Sequence, residues 1–497
     1  MEQPVSNADL AARYDTIAYA AQPHATTHPD RLATVATFFG HAAASPQTCR
    51  VLEVGCNDGA NLIPMAVSLP QASFVGCDLS PAAVATGRAT VEALGLANVS
   101  LLCEDLAALD PALGPFDFIV AHGVYSWVPA HVRDALFELG QRMLTPLGVM
   151  YVSFNTLPGC RVRQVTWEMV HRHVDRIDDV RARLQAARAM ARLIADGGAS
   201  QHAGDEAVRA ELRAMAERSD SQLFHDDLAQ PNEPVFFRDF VAHAARYGLA
   251  YLAEADPHTM SGAGVSASAR QFLSTLDATD REQYLDFVRL RRFRQSMLRR
   301  ADARPVGALD PARIAAMHVA ADTSLLRAAQ ASKVADLARD LDPAGGGGGP
   351  VRALLEALVR RVPTAMPVAE ARNVLAEAKG TYARPLETLI RDAYVGGVVN
   401  LHLTPPPVVN VAGARPLASP LARWQAGRQE ELTSLAHMRV RVPDANARRL
   451  LALLDGSRDR AALVASTAAT WPGSRQDAEA FVSYALQQFA TLGFLMA

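Results

Sequence analysis

The sequence predicts an α/β protein, a doubly wound seven-stranded sheet with a helical insertion, followed by mainly helical (α or α+β) carboxyl-terminal domains. Three observations carry this. Between residues 50 and 155, short apolar runs at 50–54, 72–77, 99–103, 116–121 and 148–154 alternate with helical stretches, the pattern of parallel strands joined by crossover helices. The rhythm stops after Asn155 and resumes with a helix over 237–247, Gly248 as its stop, a strand over 249–255, a helix over 280–290 and a strand over 293–298. The interval 162–219 is rich in Ala, Arg and Glu with few breakers, so it reads as a helical insertion after the fifth strand.

A chain of 497 residues exceeds one hydrophobic core. The expected organisation is an amino-terminal helical lid over 1–46, the sheet domain over 47–160 and 220–300, the insertion over 161–219, a middle domain over 301–410 and a carboxyl-terminal domain over 411–497. The five glycines from Gly345 to Gly349 cannot be an element interior, and similar helical character on both sides favours a long loop in one domain over a linker. A proline cluster, Pro405 to Pro407, precedes the last unit, which carries a turn signal at Leu454-Asp455-Gly456.

Composition narrows the functions. With 49% hydrophobic and 20% charged residues, and no apolar run near the length of a membrane span, the chain reads as globular without membrane insertion. Residues 1–9 are polar and lack a secretory pattern, so the expected location is cytoplasmic. A net charge of −3 gives no general attraction to nucleic acid, and none is expected as a partner. Five cysteines, Cys49, Cys56, Cys77, Cys103 and Cys160, lack metal-ligand spacing and read as buried reduced thiols; no metal site is expected.

Ligands of open α/β sheets bind beyond the carboxyl ends of the strands, so chemistry is sought there. The first strand runs into Leu52-Glu53-Val54-Gly55-Cys56-Asn57-Asp58-Gly59. Gly55 lets backbone approach a ligand closely, amides of the turn suit a carboxylate, and Glu53 suits a neighbouring cation. The geometry fits a charged amino-acid ligand. A dinucleotide loop requires G-x-G-x-x-G, whereas Gly55, Asn57 and Ala60 occupy those positions. Asp78, with Leu79 beside it, ends the second strand at the spacing where a carboxylate accepts from both ribose hydroxyls. Glu104, Asp105 and Leu106 follow the third strand, where a carboxylate suits an adenine amine, and the fourth ends at Ala121-His122-Gly123. Each acid alone is an ordinary cap; their succession at strand ends is the signal.

Glu53-x-Gly55-x-x-x-Gly59 followed by Asp78 resembles the class I, Rossmann-like methyltransferases that use S-adenosyl-L-methionine and release S-adenosyl-L-homocysteine. The chain is also similar to a narrower group, bacterial methyltransferases with a methyltransferase regulatory domain, which includes rickettsial protein-lysine methyltransferases. The shared segments are Tyr14-Asp15 with Tyr19, Thr27-His28-Pro29, Asn61-Leu62-Ile63-Pro64-Met65-Ala66, His122-Gly123-Val124-Tyr125-Ser126-Trp127-Val128-Pro129, Asn155-Thr156-x-Pro158-Gly159, His225-Asp226-x-Leu228-x-x-x-Asn232 and Phe293-Arg294-Gln295. His437 and Leu454-Asp455-Gly456 match in the carboxyl-terminal half. Ala18, His24 and Cys160 stand where the family more often has proline, phenylalanine and an aromatic residue. The resemblance implies a dimerising helical insert, hence a homodimer, and a protein lysine as one acceptor; a small-molecule N- or O-methyl acceptor is the alternative.

Methyl transfer from a sulfonium is an in-line displacement in which positioning and desolvation carry the catalysis. The expected cofactor contacts are Tyr19, Glu53, Gly55, Cys56, Asn57, Gly59, Asn61, Asp78, Leu79, Glu104, Asp105, Leu106 and His122. His122 is a candidate base, with packing on the adenosine or orienting Tyr125 as the favoured reading. Tyr125, Trp127 and Asn155 are expected to position the acceptor, since aromatic faces favour a methylated ammonium. Tyr14 and Tyr19 are candidates to close over the ligand, and His225 and Asn232 are open between capping and substrate contact.

Overall fold

The computed structural model describes residues 16–304, 311–345 and 349–496; Tyr14 and the rest of 1–15 lie outside the described residues. Seven strands form one mixed sheet: β1 (Arg50–Val54), β2 (Ser73–Asp78), β3 (Val99–Cys103), β4 (Phe116–Ala121), β5 (Leu144–Asn155), β6 (Leu249–Glu254) and β7 (Phe293–Arg300), in the order β3-β2-β1-β4-β5-β7-β6. The first five are parallel, and β7 runs antiparallel between β5 and β6. The expected seven-stranded Rossmann-like fold is thus present. β5 starts earlier than its apolar run because Leu144 already pairs with Phe116 across a register shift.

The strands read as continuous apolar runs because both faces are covered. Val51, Phe118, Val120, Val149 and Tyr151 face one core with helices Pro29–Phe38 and Leu62–Ser68. The alternate residues Leu52, Ile119, Ala121, Met150 and Val152 face the other, under Ala130–Met143 and Phe237–Arg246. Helix Pro29–Phe38 is therefore a core element. The chain that crosses the cavity mouth, residues 18–24, is irregular rather than the helical lid expected there, and Pro23 in it disfavours helix.

The insertion consists of helices Arg161–Val174, Val180–Asp196 and Ala203–Ala216, with Trp167, Leu184, Leu212 and Leu223 in a separate core. Beyond β7, Val334 and Ala338 before the glycine run share a core with Val351 and Leu354 after it, beside a three-stranded sheet. The last core, from Ala418 to Leu495, surrounds a hairpin of strands Glu431–Thr433 and Arg439–Arg441. Four of the five cysteines are buried, but Cys103 is exposed, because it ends edge strand β3 where the sheet runs out of cover. All five are free thiols. No described helix is long and apolar enough to cross a membrane, and the described residues hold no metal-ligand cluster.

Buried charge locks β6 and β7 to helix Ala278–Arg289. Arg294, 1% exposed, donates to Asp286 at 2.8 and 2.9 Å, to Glu254 at 2.5 Å and to Glu282 at 3.2 Å, and lies 3.9 Å over the Phe237 ring. Ser296 and Tyr251 also donate to Glu254.

Candidate functional site

The strand order places β1 beside β4, with the chain turning outward in opposite directions from that pair, and ligands of open sheets bind at such a switch point. A cavity of about 410 Å³ opens there. Its wall includes Glu53, Gly55, Cys56, Asn57 and Asn61 from the turn after β1, Asp78 and Leu79 after β2, Glu104, Asp105 and Leu106 after β3, and His122, Trp127 and Asn155 from the ends of β4 and β5. Tyr19 and His24 reach it from the amino-terminal segment.

The turn needs its glycines. Gly55 has φ +71° and a Cβ there would lie 3.0 Å from Val124; Gly59 has φ +74° and would press on Ile63 at 3.1 Å. Gly59 is absent from the cavity wall and shapes the turn instead. Asp78 organises the same turn, accepting from the Asn57 amide at 2.8 Å and the Ser80 amide at 2.9 Å while it faces the cavity. Asp105 accepts from the Ala107 amide and caps the short turn that seats Leu106.

Glu53 is 4% exposed and its Oε1 accepts from Asn61 Nδ2 at 2.6 Å, but Oε2 is buried with no hydrogen-bond partner among the described residues. Burial, with Asp78 and Asp58 nearby, pushes its carboxyl up to about 8. An unpartnered buried carboxylate oxygen at a cavity wall fits a cationic amine, which would supply the missing donor. Asn61 Oδ1 accepts from the His24 amide at 2.8 Å, a group that can only donate, which favours turning Nδ2 toward Glu53.

His122 does not orient Tyr125. Its Nδ1 pairs with the Tyr151 hydroxyl at 2.9 Å, and its ring stacks on His24 at 3.7 Å, so the departure at residue 24 builds a histidine pair at the mouth. Burial holds both rings neutral, with His24 lowered to about 4 and His122 further below its ordinary value. Tyr125, expected at the acceptor mouth, points into the core: it is 2% exposed, packs on Phe137 and Phe240, and its hydroxyl meets His243 at 2.8 Å. The short helical turn Tyr125–Trp127 turns one ring inward and the other, Trp127, to the cavity. Asn155 stands at the wall and donates to Asn232 Oδ1 at 2.9 Å; Asn232 in turn donates to the Asp226 carbonyl at 3.0 Å. His225 is spent structurally, its ring on the Ile17 carbonyl at 2.7 Å and against Tyr19.

Asp226 belongs to a shared segment, but the sequence assigned it no role. It lines the cavity from the π-helical turn Leu223–Asp227, and no side chain among the described residues donates a hydrogen bond to its carboxylate. Its neighbour Asp227 is instead saturated by Arg163, Arg218 and Trp167, and Arg292 is taken by Glu211. Burial and the Asp227 charge push Asp226 up to about 6. Two adjacent acids look alike in sequence; only the packing of the insertion decides which is neutralised.

Comparison with known proteins agrees with this architecture. A methyltransferase domain model matches residues 51–148, a predicted methyltransferase regulatory domain 219–300, and a PKMT carboxyl-terminal winged helix domain 414–489. An uncharacterised protein of Rickettsia prowazekii is 36% identical over 287 residues, 57% of this chain and 52% of that protein. A second from the same organism is 30% identical over 236 residues, covering 47% of this chain and 94% of the relative. The match thus spans about half the length of the first relative and nearly all of the second. Structures titled PKMT2 from Rickettsia typhi, alone and in complex with AdoHcy, share the fold over 96% of this chain and 100% of theirs, with TM-scores of 0.81 and 0.82 at 22% identity. With the three domain models in order along the chain and the strand-end site in place, the chain belongs to the S-adenosylmethionine-dependent methyltransferases that carry a methyltransferase regulatory domain.

Proposed function

We propose that the chain N-methylates lysine side chains of a protein, with S-adenosylmethionine held by Glu53, the Gly55–Asn57 backbone, Asp78, Leu79, Asp105, Leu106 and His122. The cofactor supplies an electrophilic methyl group on a sulfonium and leaves as the neutral thioether. The observation that carries the lysine reading is Asp226, a carboxylate to which no side chain among the described residues donates, in the same cavity as Tyr19 and Trp127. Ionised, it draws an ammonium to the ends of β4 and β5; the aromatic rings accept the methylated product by cation–π attraction. The acceptor amine must lose a proton to water before its lone pair can attack, and desolvation beside the rings lowers its pKa toward that state. The insertion is the part we assign to self-association, with Leu193 on it 70% exposed; light scattering at the mass of two chains supports this assignment, and the mass of one rejects it.

Incubation with methyl-labelled cofactor and fragments of bacterial surface proteins is expected to place label in ε-N-methyllysine after hydrolysis. Label only in small metabolites rejects the lysine reading. Asp226→Asn is expected to raise the acceptor KM about tenfold or more while cofactor affinity stays unchanged, because it removes the charge and keeps the shape. In the wild type, acceptor affinity rises with pH through about 6 as this carboxyl ionises. An Asp226→Asn variant with the wild-type KM would contradict the assignment.

A further inference from the structure

The carboxyl-terminal domain reaches the cofactor site with the side chain of His437. The tip between strands Glu431–Thr433 and Arg439–Arg441 is closed by the Ser434 amide on the Met438 carbonyl at 2.9 Å and the His437 amide on the Ser434 carbonyl at 3.0 Å. This holds His437 in the left-handed region at φ 58° and drives its ring, 4% exposed, into the sheet domain. There Nε2 meets Asn61 Oδ1 at 2.8 Å, across 376 positions of sequence. Because Asn61 Oδ1 already accepts from the His24 amide, it is an acceptor for His437 too, and the ring must carry its proton on Nε2.

His437 is not itself part of the cavity wall, but its partner Asn61 is, and Asn61 passes the contact on to Glu53. Asn61 Nδ2 donates to Glu53 Oε1 at 2.6 Å and to Thr27 Oγ1 at 3.0 Å, so the donors on Oδ1 decide which end of the amide Glu53 meets. A flipped amide would set its oxygen against the carboxylate. We propose that His437 is a positioning residue for the cofactor site: as a second donor on Asn61 Oδ1 beside the His24 amide, it helps hold Glu53 ready for the cationic end of the cofactor, so that docking of the carboxyl-terminal domain tunes cofactor affinity. The inference rests on the reading of Glu53 as a cofactor contact.

The remaining groups around this relay do not replace it. Asp58 and Asp78 face Glu53 with like charge and push its carboxyl up, as does burial, while the Asn61 amide is the one group that draws it down; Cys56 lies alongside with its thiol raised by burial. His24 and His28 face His437, and burial keeps all three rings neutral at physiological pH. The His437 N–H therefore persists across the working range.

Titration of S-adenosylhomocysteine into the full chain between pH 6 and 9 tests this. His437→Asn keeps a residue that tolerates the left-handed backbone but is too short to reach Asn61; His437→Gln restores an N–H at the required length. The Asn variant is expected to bind several-fold more weakly, on the order of three- to tenfold for one lost hydrogen bond, with the pH midpoint moved upward because Asn61, held by one donor fewer, donates less firmly to Glu53. The Gln variant is expected to return toward wild type in both. Wild-type affinity and midpoint in the Asn variant, or no rescue by Gln, overturns the proposal. Should the Asn variant not fold, nitrogen NMR of the wild type decides instead: a His437 ring protonated on Nε2, unchanged by pH across this range and shifted by the ligand, supports it, and an ordinary titration near 6.5 overturns it. If the wild type binds no S-adenosylhomocysteine, the cofactor reading fails with it.

Discussion

Arg294→Leu is expected to destabilise the sheet domain by about 3–5 kcal/mol, because it leaves Glu254, Glu282 and Asp286 buried around an absent cation. Replacing the whole cluster by apolar residues would cost far less; removal of the cation alone uncovers three carboxylates, which Arg291 at 3.1 Å from Asp286 can only partly neutralise. Burial already holds Glu282 and Asp286 above their ordinary values, while Arg294 draws Glu254 below its own. The depressed Glu254 stabilises the fold above its unfolded pKa, and that contribution is lost as pH falls through the folded value. The Leu variant lacks it, so its deficit should shrink in acid. Calorimetric scanning reads the loss as a fall on the order of 10 °C in the transition of the sheet domain. A variant melting within about 2 °C of wild type at pH 7 would show that the cluster is not a structural tie.

Glu53→Gln is expected to weaken cofactor binding by about 1.5–3 kcal/mol, the range for a charged hydrogen-bond partner, with the fold retained because Gln keeps the volume. Raised to about 8 from 4.5, Glu53 destabilises the ligand-free protein as its carboxyl is forced to ionise: stability is full below about 4.5 and is lost as pH rises through about 8. A cationic ligand reverses this by favouring the ionised form. Affinity in the wild type should therefore climb from pH 6 to pH 8, and Glu53→Gln should flatten that slope. Equilibrium dialysis at several pH values checks both, and a variant with wild-type affinity and slope would remove Glu53 from the site.

Much of the fold was legible because parallel strands buried on both faces write themselves as apolar runs, and β1 to β4 were located within a residue or two. The extended chain over residues 18–24 was not, since its conformation follows from the Ala20 amide on Ser221 and the His24 amide on Asn61 rather than from local periodicity. Strand-end acids were legible by order and spacing. Tyr125 and Trp127 were not separable, because two rings two residues apart in a short turn face opposite ways and only the core decides which is buried. Asp226 and Asp227 differ for the same reason. The His437 contact joins units whose docking no local pattern encodes.

The cavity at the β1–β4 switch point is expected to receive the ammonium of an amino-acid cofactor against a protonated Glu53. Calorimetric titration of S-adenosylhomocysteine into the wild-type chain at pH 7, in two buffers of different ionisation enthalpy, measures this. Saturable one-to-one binding with release of roughly one proton per ligand is expected, because Glu53 ionises as the ammonium arrives. Binding without proton release, or with uptake, would contradict it.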